Sequence, residues 1–212
     1  MPDSSWIETY GLVAILRGNY VGHVMSLIDA MYEGGIRMVE VTMNSADALG
    51  MIKEINTAYG DKMWVGAGTV LTPEEVKAVA DAGGQYIVSP DTFAPVIEET
   101  LKLSLTPMPG AYTASEVRTA LRAGAHYIKL FPAMPAGPSY LKQLRAPLNN
   151  AAFITTGGIN ASNLADFIKA GAVGIGIGSA LAPTTFNGTT QEIDTVKAKA
   201  QDLVAAFESA KA

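Results

Sequence analysis

The sequence contains no cysteine and only two histidines in 212 residues. The lack of cysteine excludes a disulfide framework, a thiolate metal site and a thiol nucleophile. Neither His23 nor His126 has an acidic pair or a third ligand near it, so neither a metal nor another cofactor is expected. Lys and Arg number 15 against 20 Asp and Glu, giving a net charge of -5. No basic run is present that could neutralise a nucleic-acid backbone, so nucleic acid is not an expected partner.

Long apolar runs are also missing. No stretch without charges approaches the length needed to cross a bilayer, and the opening residues MPDSSWIETYG lack the pattern of a signal peptide. The composition, with 49% hydrophobic and 17% charged residues, is typical of a globular chain. We therefore predict a cytoplasmic protein without a membrane partner, built as one domain over residues 1–212 with a short helix at its start.

The chain alternates between short apolar or β-branched runs and longer segments with helical spacing. Several helical segments carry a start signal, such as Thr72 followed by Glu75 and Thr113 followed by Glu116. This pattern predicts eight β-strands, each followed by a helix, at residues 12–16, 38–42, 63–66, 86–89, 104–108, 127–131, 153–156 and 173–178.

Two α/β architectures fit such an alternation. Similar helix-to-strand junctions recur at Gly34, Gly83, Gly124 and Gly171, at intervals that each accommodate two βα units. The rival architecture is an open doubly wound sheet, which a glycine-rich nucleotide loop after the first strand would favour. The segment AILRGNYVGH has no G-x-G-x-x-G pattern. We therefore predict a single-domain (β/α)8 TIM barrel.

Two charged residues lie within predicted strands. Alternation places Lys129 with Tyr127 and Phe131 on one strand face, and Glu40 on the corresponding face of the second strand. If these faces line the barrel, Lys129 and Glu40 meet across the lumen, where a dehydrated amine can attack a carbonyl and a carboxyl can relay protons. The alternatives are a lysine that reaches solvent at a strand end, and a buried ion pair that only fixes packing.

Glycine-containing turns follow the third, seventh and eighth strands. The segment GAGT at residues 66–69 would close the third strand. The other two turns are at the end of a barrel where bare backbone N–H groups commonly hold a phosphate, although tight turn geometry alone would also explain their glycines. Arg17 follows the first strand, where its guanidinium suits a carboxylate, the alternative being a surface arginine. The turns contain Gly157, Gly158, Gly178 and Ser179.

Taken together, these motifs resemble the family of 2-keto-3-deoxy-6-phosphogluconate and 2-keto-3-deoxy-6-phosphogalactonate aldolases. The likeness spans nearly the whole chain and keeps the family's order of motifs, which are VEVT, VGAGTVLTPEEV, SP, MPG, IKLFPA, TGGI and GIGSAL. It implies a homotrimeric class I aldolase in which Lys129 forms the Schiff base and Glu40 is the general acid and base.

The resemblance also implies the residues that bind substrate. Arg17 and Thr69 would hold the carboxylate end, and Pro90 and Phe131 would contact the substrate. The phosphate would be held by Gly157, Gly158, Gly178 and Ser179.

One departure concerns Asn44, because many phosphogluconate members carry arginine four residues after the catalytic glutamate. The segments AILRG, MNS and GPSYLKQL look more like the phosphogalactonate branch.

The expected function is reversible cleavage of a 2-keto-3-deoxy-6-phospho sugar acid to pyruvate and D-glyceraldehyde 3-phosphate, through an imine on Lys129 and without a metal. Two alternatives remain open from the sequence. One is a phosphosugar isomerase or epimerase, which would share the phosphate turns without forming an imine. The other is a barrel that only binds a phosphorylated metabolite, since the fold alone does not establish catalysis.

Overall fold

The computed structural model describes residues 5–211, in which helices alternate with strands. The strands are β1 Leu12–Leu16, β2 Met38–Thr42, β3 Trp64–Gly68, β4 Tyr86–Val88, β5 Thr106–Met108, β6 Gly110–Ala111, β7 Tyr127–Leu130, β8 Ala152–Thr156 and β9 Gly174–Ile177. The helices are α1 Ser5–Tyr10, α2 Val24–Glu33, α3 Ala48–Tyr59, α4 Pro73–Asp81, α5 Ala94–Lys102, α6 Ala114–Arg122, α7 Ala133–Arg145, α8 Leu164–Lys169 and α9 Thr190–Lys211.

All strand pairs are parallel, and the strand order is β5-β4-β3-β2-β1-β9-β8-β7-β6. The two ends of this order, β5 and β6, are consecutive in the chain and are separated only by Pro109. The amide of Lys129 donates to the carbonyl of Pro109 at 2.9 Å, so the sheet closes on itself through this residue. The predicted (β/α)8 barrel is confirmed.

The fifth strand differs most from its prediction. Pro109 has no N–H to contribute to a ladder, and the strand is divided there into β5, which pairs with β4, and β6, which pairs with β7. Ser104 was expected to begin this strand, but its φ of 60° places it in a turn after α5. The third strand also differs, because β3 continues through Gly66 to Gly68 instead of closing at the glycines.

The helix start signals at Thr72 and Thr113 form complete capping boxes. Each threonine side chain accepts a hydrogen bond from the amide three residues later, and the glutamate at that position, Glu75 or Glu116, accepts from the threonine amide. These reciprocal bonds set the first turns of α4 and α6.

Among the helices of residues 5–211, none is both long and apolar enough to cross a membrane.

Two hydrophobic clusters position the site. The larger cluster packs the outward strand faces against the helices, and the smaller one lies inside the barrel lumen. Ile7 of α1 is 1% exposed and belongs to the lumen cluster, so the first helix closes the N-terminal end of the barrel. Open space is left at the carboxyl ends of the strands, where barrels carry their sites. The lumen cluster contains Ile7, Val13, Met38, Trp64, Tyr86, Val88, Met108, Tyr127 and Ile154.

Candidate active site

Glu40 and Lys129 lie inside the barrel lumen, on opposite sides of the barrel and next to part of the lumen cluster. Their exposures are 2% and 4%, which is very low for charged side chains. Both line one small cavity of about 10 Å³ whose other walls are mainly apolar. Both side chains therefore point into the barrel, as the strand alternation predicts. The remaining lining residues are Val13, Val88, Met108, Ile154, Thr156 and Gly176.

Burial governs the protonation of Glu40. Loss of hydration raises the pKa of its carboxyl, and the positive charges of Lys129 and Arg17 only partly offset this increase. A carboxyl with a raised pKa can give up and recover a proton closer to neutral pH than an exposed glutamate can. This is the property that a group alternating between acid and base requires.

Gly68 makes room for this carboxyl. A Cβ at Gly68 would lie 1.7 Å from Glu40 Oε1, a separation that no pair of non-bonded atoms can adopt. The glycine is therefore required by side-chain packing inside the barrel. Sequence reasoning missed this role, because the contact joins residues on β2 and β3 and becomes visible only with the strand register, in which Thr42 pairs with Gly68.

Arg17 and Thr69 meet at the rim of the barrel. Arg17 Nη2 lies 3.5 Å from Thr69 Oγ1, so the contact is a long hydrogen bond. Thr69 has a φ of 57°, a left-handed conformation that is strained for a β-branched residue. Strain of this kind is concentrated at functional sites, and here the threonine hydroxyl lies next to the arginine guanidinium.

The turn after β2 supports the backbone on either side of Arg17. Ser45 Oγ accepts a hydrogen bond from the amide of Gly18 at 3.1 Å, and Thr42 Oγ1 donates to the carbonyl of Leu16 at 3.2 Å. Asn44, in the same turn, is exposed. These two hydrogen bonds fix the main chain on both sides of Arg17.

A larger pocket of about 420 Å³ opens outside the small cavity. Thr156 lines both, so the two spaces adjoin. Gly157 and Gly158 have φ values of 103° and 78°, and a Cβ at Gly178 would meet no atom within 4 Å. Bare backbone and open space at such turns suit a phosphate group. The lining residues are Ile15, Arg17, Phe131, Thr156, Gly157, Gly158, Ile159, Asn160, Gly178, Ser179, Ala180, Ala182 and Thr184.

The structure thus brings most of the candidate residues together. Phe131 lines the larger pocket, and its ring centroid lies 5.0 Å from Lys129 Nζ. Pro90 is not among the described residues that line either space; its carbonyl lies against Gly110, next to β7. Thr156 and Asn160 were not singled out by the sequence, although both flank the glycines of the TGGI motif.

A buried lysine facing a buried carboxyl in a (β/α)8 barrel, beside a phosphate-sized pocket, is an arrangement that suits carbonyl chemistry through an imine. The family model described as "Aldolase: KDPG and KHG aldolase" matches residues 4–197. The chain belongs to this family, and it is a lyase of the aldolase type.

Similar proteins agree with this assignment. The 2-dehydro-3-deoxy-6-phosphogalactonate aldolase of Escherichia coli (strain K12) is 42% identical over 177 residues, covering 83% of this chain and 86% of the relative. The probable 2-dehydro-3-deoxy-6-phosphogalactonate aldolase of Rhizobium meliloti (strain 1021) is 35% identical, covering 80% and 81%. A solved structure described as "Native KDPGal structure" superposes with a TM-score of 0.90 at 38% identity, covering 96% of this chain and 97% of the other.

Proposed function

We propose that the protein cleaves a 2-keto-3-deoxy-6-phospho sugar acid reversibly to pyruvate and D-glyceraldehyde 3-phosphate through an imine on Lys129. The observation that carries this proposal is the burial of Lys129 and Glu40 in one cavity that adjoins the glycine-lined pocket. A substrate can then place its keto group at the lysine and its phosphate outside.

The reaction begins when the neutral amine of Lys129 adds to the C2 carbonyl carbon. A proton moves from nitrogen to oxygen, which gives a carbinolamine. Glu40, in its protonated form, donates a proton to the carbinolamine hydroxyl, which leaves as water while the nitrogen lone pair forms the C=N bond. The raised pKa of Glu40 supports this acid role.

Cleavage uses the same pair in the opposite sense. The Glu40 carboxylate takes the proton of the C4 hydroxyl, the C3–C4 electrons move into the iminium, and glyceraldehyde 3-phosphate leaves. Glu40 then returns the proton to C3 of the enamine. Addition of water and collapse of the second carbinolamine release pyruvate and restore the lysine amine. The protonated imine is the electron sink, so the mechanism requires no metal.

The remaining site residues bind the substrate. Arg17 and Thr69 are proposed to hold the carboxylate, supported by their contact at the rim. Phe131 covers Lys129 from the pocket side, and Pro90 is proposed to contact substrate near the end of β4. The phosphate is assigned to the two turns after β8 and β9, through Gly157, Gly158, Gly178 and Ser179.

The substrate epimer proposed is 2-keto-3-deoxy-6-phosphogalactonate. Support comes from the names of the two relatives given above. It also comes from two positions of the sequence: this chain has Arg17 after the first strand, but has Asn44 where many phosphogluconate members carry a second arginine. Pyruvate release from the two epimers, compared as kcat/KM, tests this choice. A preference for 2-keto-3-deoxy-6-phosphogluconate would contradict this choice, and no pyruvate release from either epimer would refute the proposed reaction.

Replacing Ser179 with aspartate is expected to raise KM for the phosphorylated substrate by about tenfold or more, with a smaller effect on kcat, because a carboxylate would face the phosphate. Ser179 is exposed, so the substitution is not expected to disturb the core. The matched control is Ser179→Asn, which has nearly the same shape without the charge. Equal KM values for the two variants would argue against a phosphate at this turn.

We further propose that the protein is a cytoplasmic homotrimer. The trimer is supported by the resemblance to the aldolase family, and the cytoplasm by a substrate whose charges oppose passage through a bilayer. Light scattering should give three times the chain mass of 22.2 kDa. A single-chain mass would contradict the trimer.

A further inference from the structure

Glu40 belongs to a row of paired strand residues that contains two other buried polar side chains. Parallel pairing places Glu40 opposite Gly66, Gly66 opposite Tyr86, and Tyr86 opposite Thr106, across β2, β3, β4 and β5. Tyr86 is fully buried, and Thr106 is 5% exposed. A carboxyl and two hydroxyl groups are therefore enclosed by adjacent strands.

The ring of Tyr86 leans across β3 toward the strand of Glu40. A Cβ at Gly66 would lie 2.5 Å from Cγ and Cδ2 of Tyr86, so the ring occupies the space that a side chain on β3 would otherwise fill. The ring of Trp64 packs against it with the centroids 4.5 Å apart. Because the carbons nearest to Gly66 are at the base of the ring, the hydroxyl lies still further from β4.

The carboxyl of Glu40 occupies the next space along the same strand. Gly66 and Gly68 are successive inward positions of β3, about 6.6 Å apart at the usual rise of a strand. The Tyr86 ring covers the first glycine, and Glu40 Oε1 lies against the second. The phenol and the carboxyl are therefore neighbours within a groove in the barrel wall that these two glycines create.

The polar atoms of Glu40 and Tyr86 lack partners. Glu40 Oε1 and Tyr86 Oη are both buried, and neither has a hydrogen-bond partner among residues 5–211. Thr106 Oγ1 and Thr155 Oγ1 are also unpaired, but Thr106 lies on β5, on the other side of Tyr86 from Glu40. Leaving a buried carboxylate and a buried phenol unsatisfied would cost considerable free energy. A buried water makes about two to four hydrogen bonds to groups of this kind, and a hydroxyl and a carboxylate supply a suitable donor and acceptor.

We propose that Tyr86 is a positioning residue for Glu40: its hydroxyl holds the Glu40 carboxylate through one buried water on the side away from the substrate. This inference rests on the proposed role of Glu40 as the proton-transfer group. The water fixes Oε1 at Gly68, and the second carboxylate oxygen is left to exchange protons with the substrate. Tyr86 orients the acid without touching the reacting atoms.

The charges around Glu40 favour this arrangement. Lys129 on β7 and Arg17 after β1 are the cations that act on Glu40, and Tyr86 on β4 and Tyr127 on β7 are the neighbouring phenols of the lumen. Burial, and secondly the charge of Glu40, raises the pKa of Tyr86 well above its ordinary value. Its hydroxyl therefore keeps its proton throughout the working pH range and can act as a donor.

Tyr86→Phe removes the hydroxyl and retains the ring. We expect kcat to fall by about tenfold, the effect of losing one hydrogen bond to a charged group, while KM stays within about twofold. The acidic limb of the kcat/KM profile should move to higher pH, because the carboxylate loses a donor that favours its charged form. An unchanged kcat together with an unchanged acidic limb would overturn the proposal.

A crystal structure of the wild-type protein provides a measurement that requires no variant. It should contain a water bonded to Glu40 and Tyr86. Direct contact between these two groups, or an empty space between them, would overturn the proposed water.

Tyr20→Phe is the matched control for loss of a buried phenol hydroxyl. Tyr20 donates to the carbonyl of Pro183 at 2.7 Å, outside the lumen, so its variant should lose thermal stability without moving the acidic limb. Trapping of pyruvate on Lys129 by borohydride distinguishes a failure of the proposed function from a failure of the proposed role of Tyr86. Failure of the wild-type protein to form the adduct would refute the proposed function, whereas adduct formation with a wild-type Tyr86→Phe profile would refute only the role of Tyr86.

Discussion

Replacing Lys129 with methionine is expected to lower kcat for pyruvate release by a factor on the order of 10⁴ or more, because no other lysine is among the described residues that line either cavity. Methionine fills a similar volume in a cavity where Lys129 is only 4% exposed, so the variant should fold. Its melting temperature at neutral pH should be equal to or below that of the wild-type protein, because Glu40 loses the positive charge that partly offsets its burial.

Lys142→Met is the control for this experiment, since Lys142 is exposed on α7 and lies outside both cavities. It should retain wild-type kcat. If Lys129→Met kept a rate within tenfold of the wild-type value, Lys129 would not form the imine. A phosphosugar isomerase or a binding barrel would then have to be reconsidered.

Glu40→Gln is expected to reduce kcat by about 10²- to 10⁴-fold, the usual contribution of a positioned acid or base. Glutamine keeps the shape that fits against Gly68 but cannot exchange a proton. Because burial raises the pKa of Glu40, the acidic limb of the wild-type kcat/KM profile should lie above the ordinary glutamate value of 4.5 and should be absent from the variant.

The same substitution should make the protein more stable at neutral pH. A carboxyl whose pKa is higher in the folded than in the unfolded chain favours folding only while protonated, and this contribution is lost as pH rises through the folded pKa. Removing the charge should therefore raise the melting temperature at pH 7 and leave it nearly unchanged at pH values below the unfolded pKa. A variant with wild-type kcat, or one less stable at pH 7, would contradict the assigned role and environment of Glu40.

Strand alternation made much of the site predictable. It places Lys129 and Glu40 on inward faces. The apolar residues directly before and after each of them in its strand pack outward against helices. The barrel follows from eight βα repeats, and a proline in the fifth was the available signal that this strand would be interrupted. The absence of an N–H at Pro109 explains why that strand pairs in two separate segments.

Other features depend on contacts between distant residues. The glycines at positions 66 and 68 predict a turn. In the structure they lie within β3, and the absence of a side chain there leaves room for Tyr86 and Glu40 of the neighbouring strands. The left-handed backbone of Thr69 and the position of Thr156 between the two cavities likewise follow from tertiary packing. Local sequence patterns contain no information about these contacts until the strand register is known.

Reduction with sodium borohydride in the presence of pyruvate, followed by intact-protein mass measurement and peptide mapping, tests the central claim most directly. Reduction converts an imine into a stable secondary amine, so the lysine that forms it retains the pyruvate carbons. The proposed mechanism predicts one adduct per chain, located on Lys129 and absent from Lys129→Met. No adduct, or an adduct on another lysine, would contradict it.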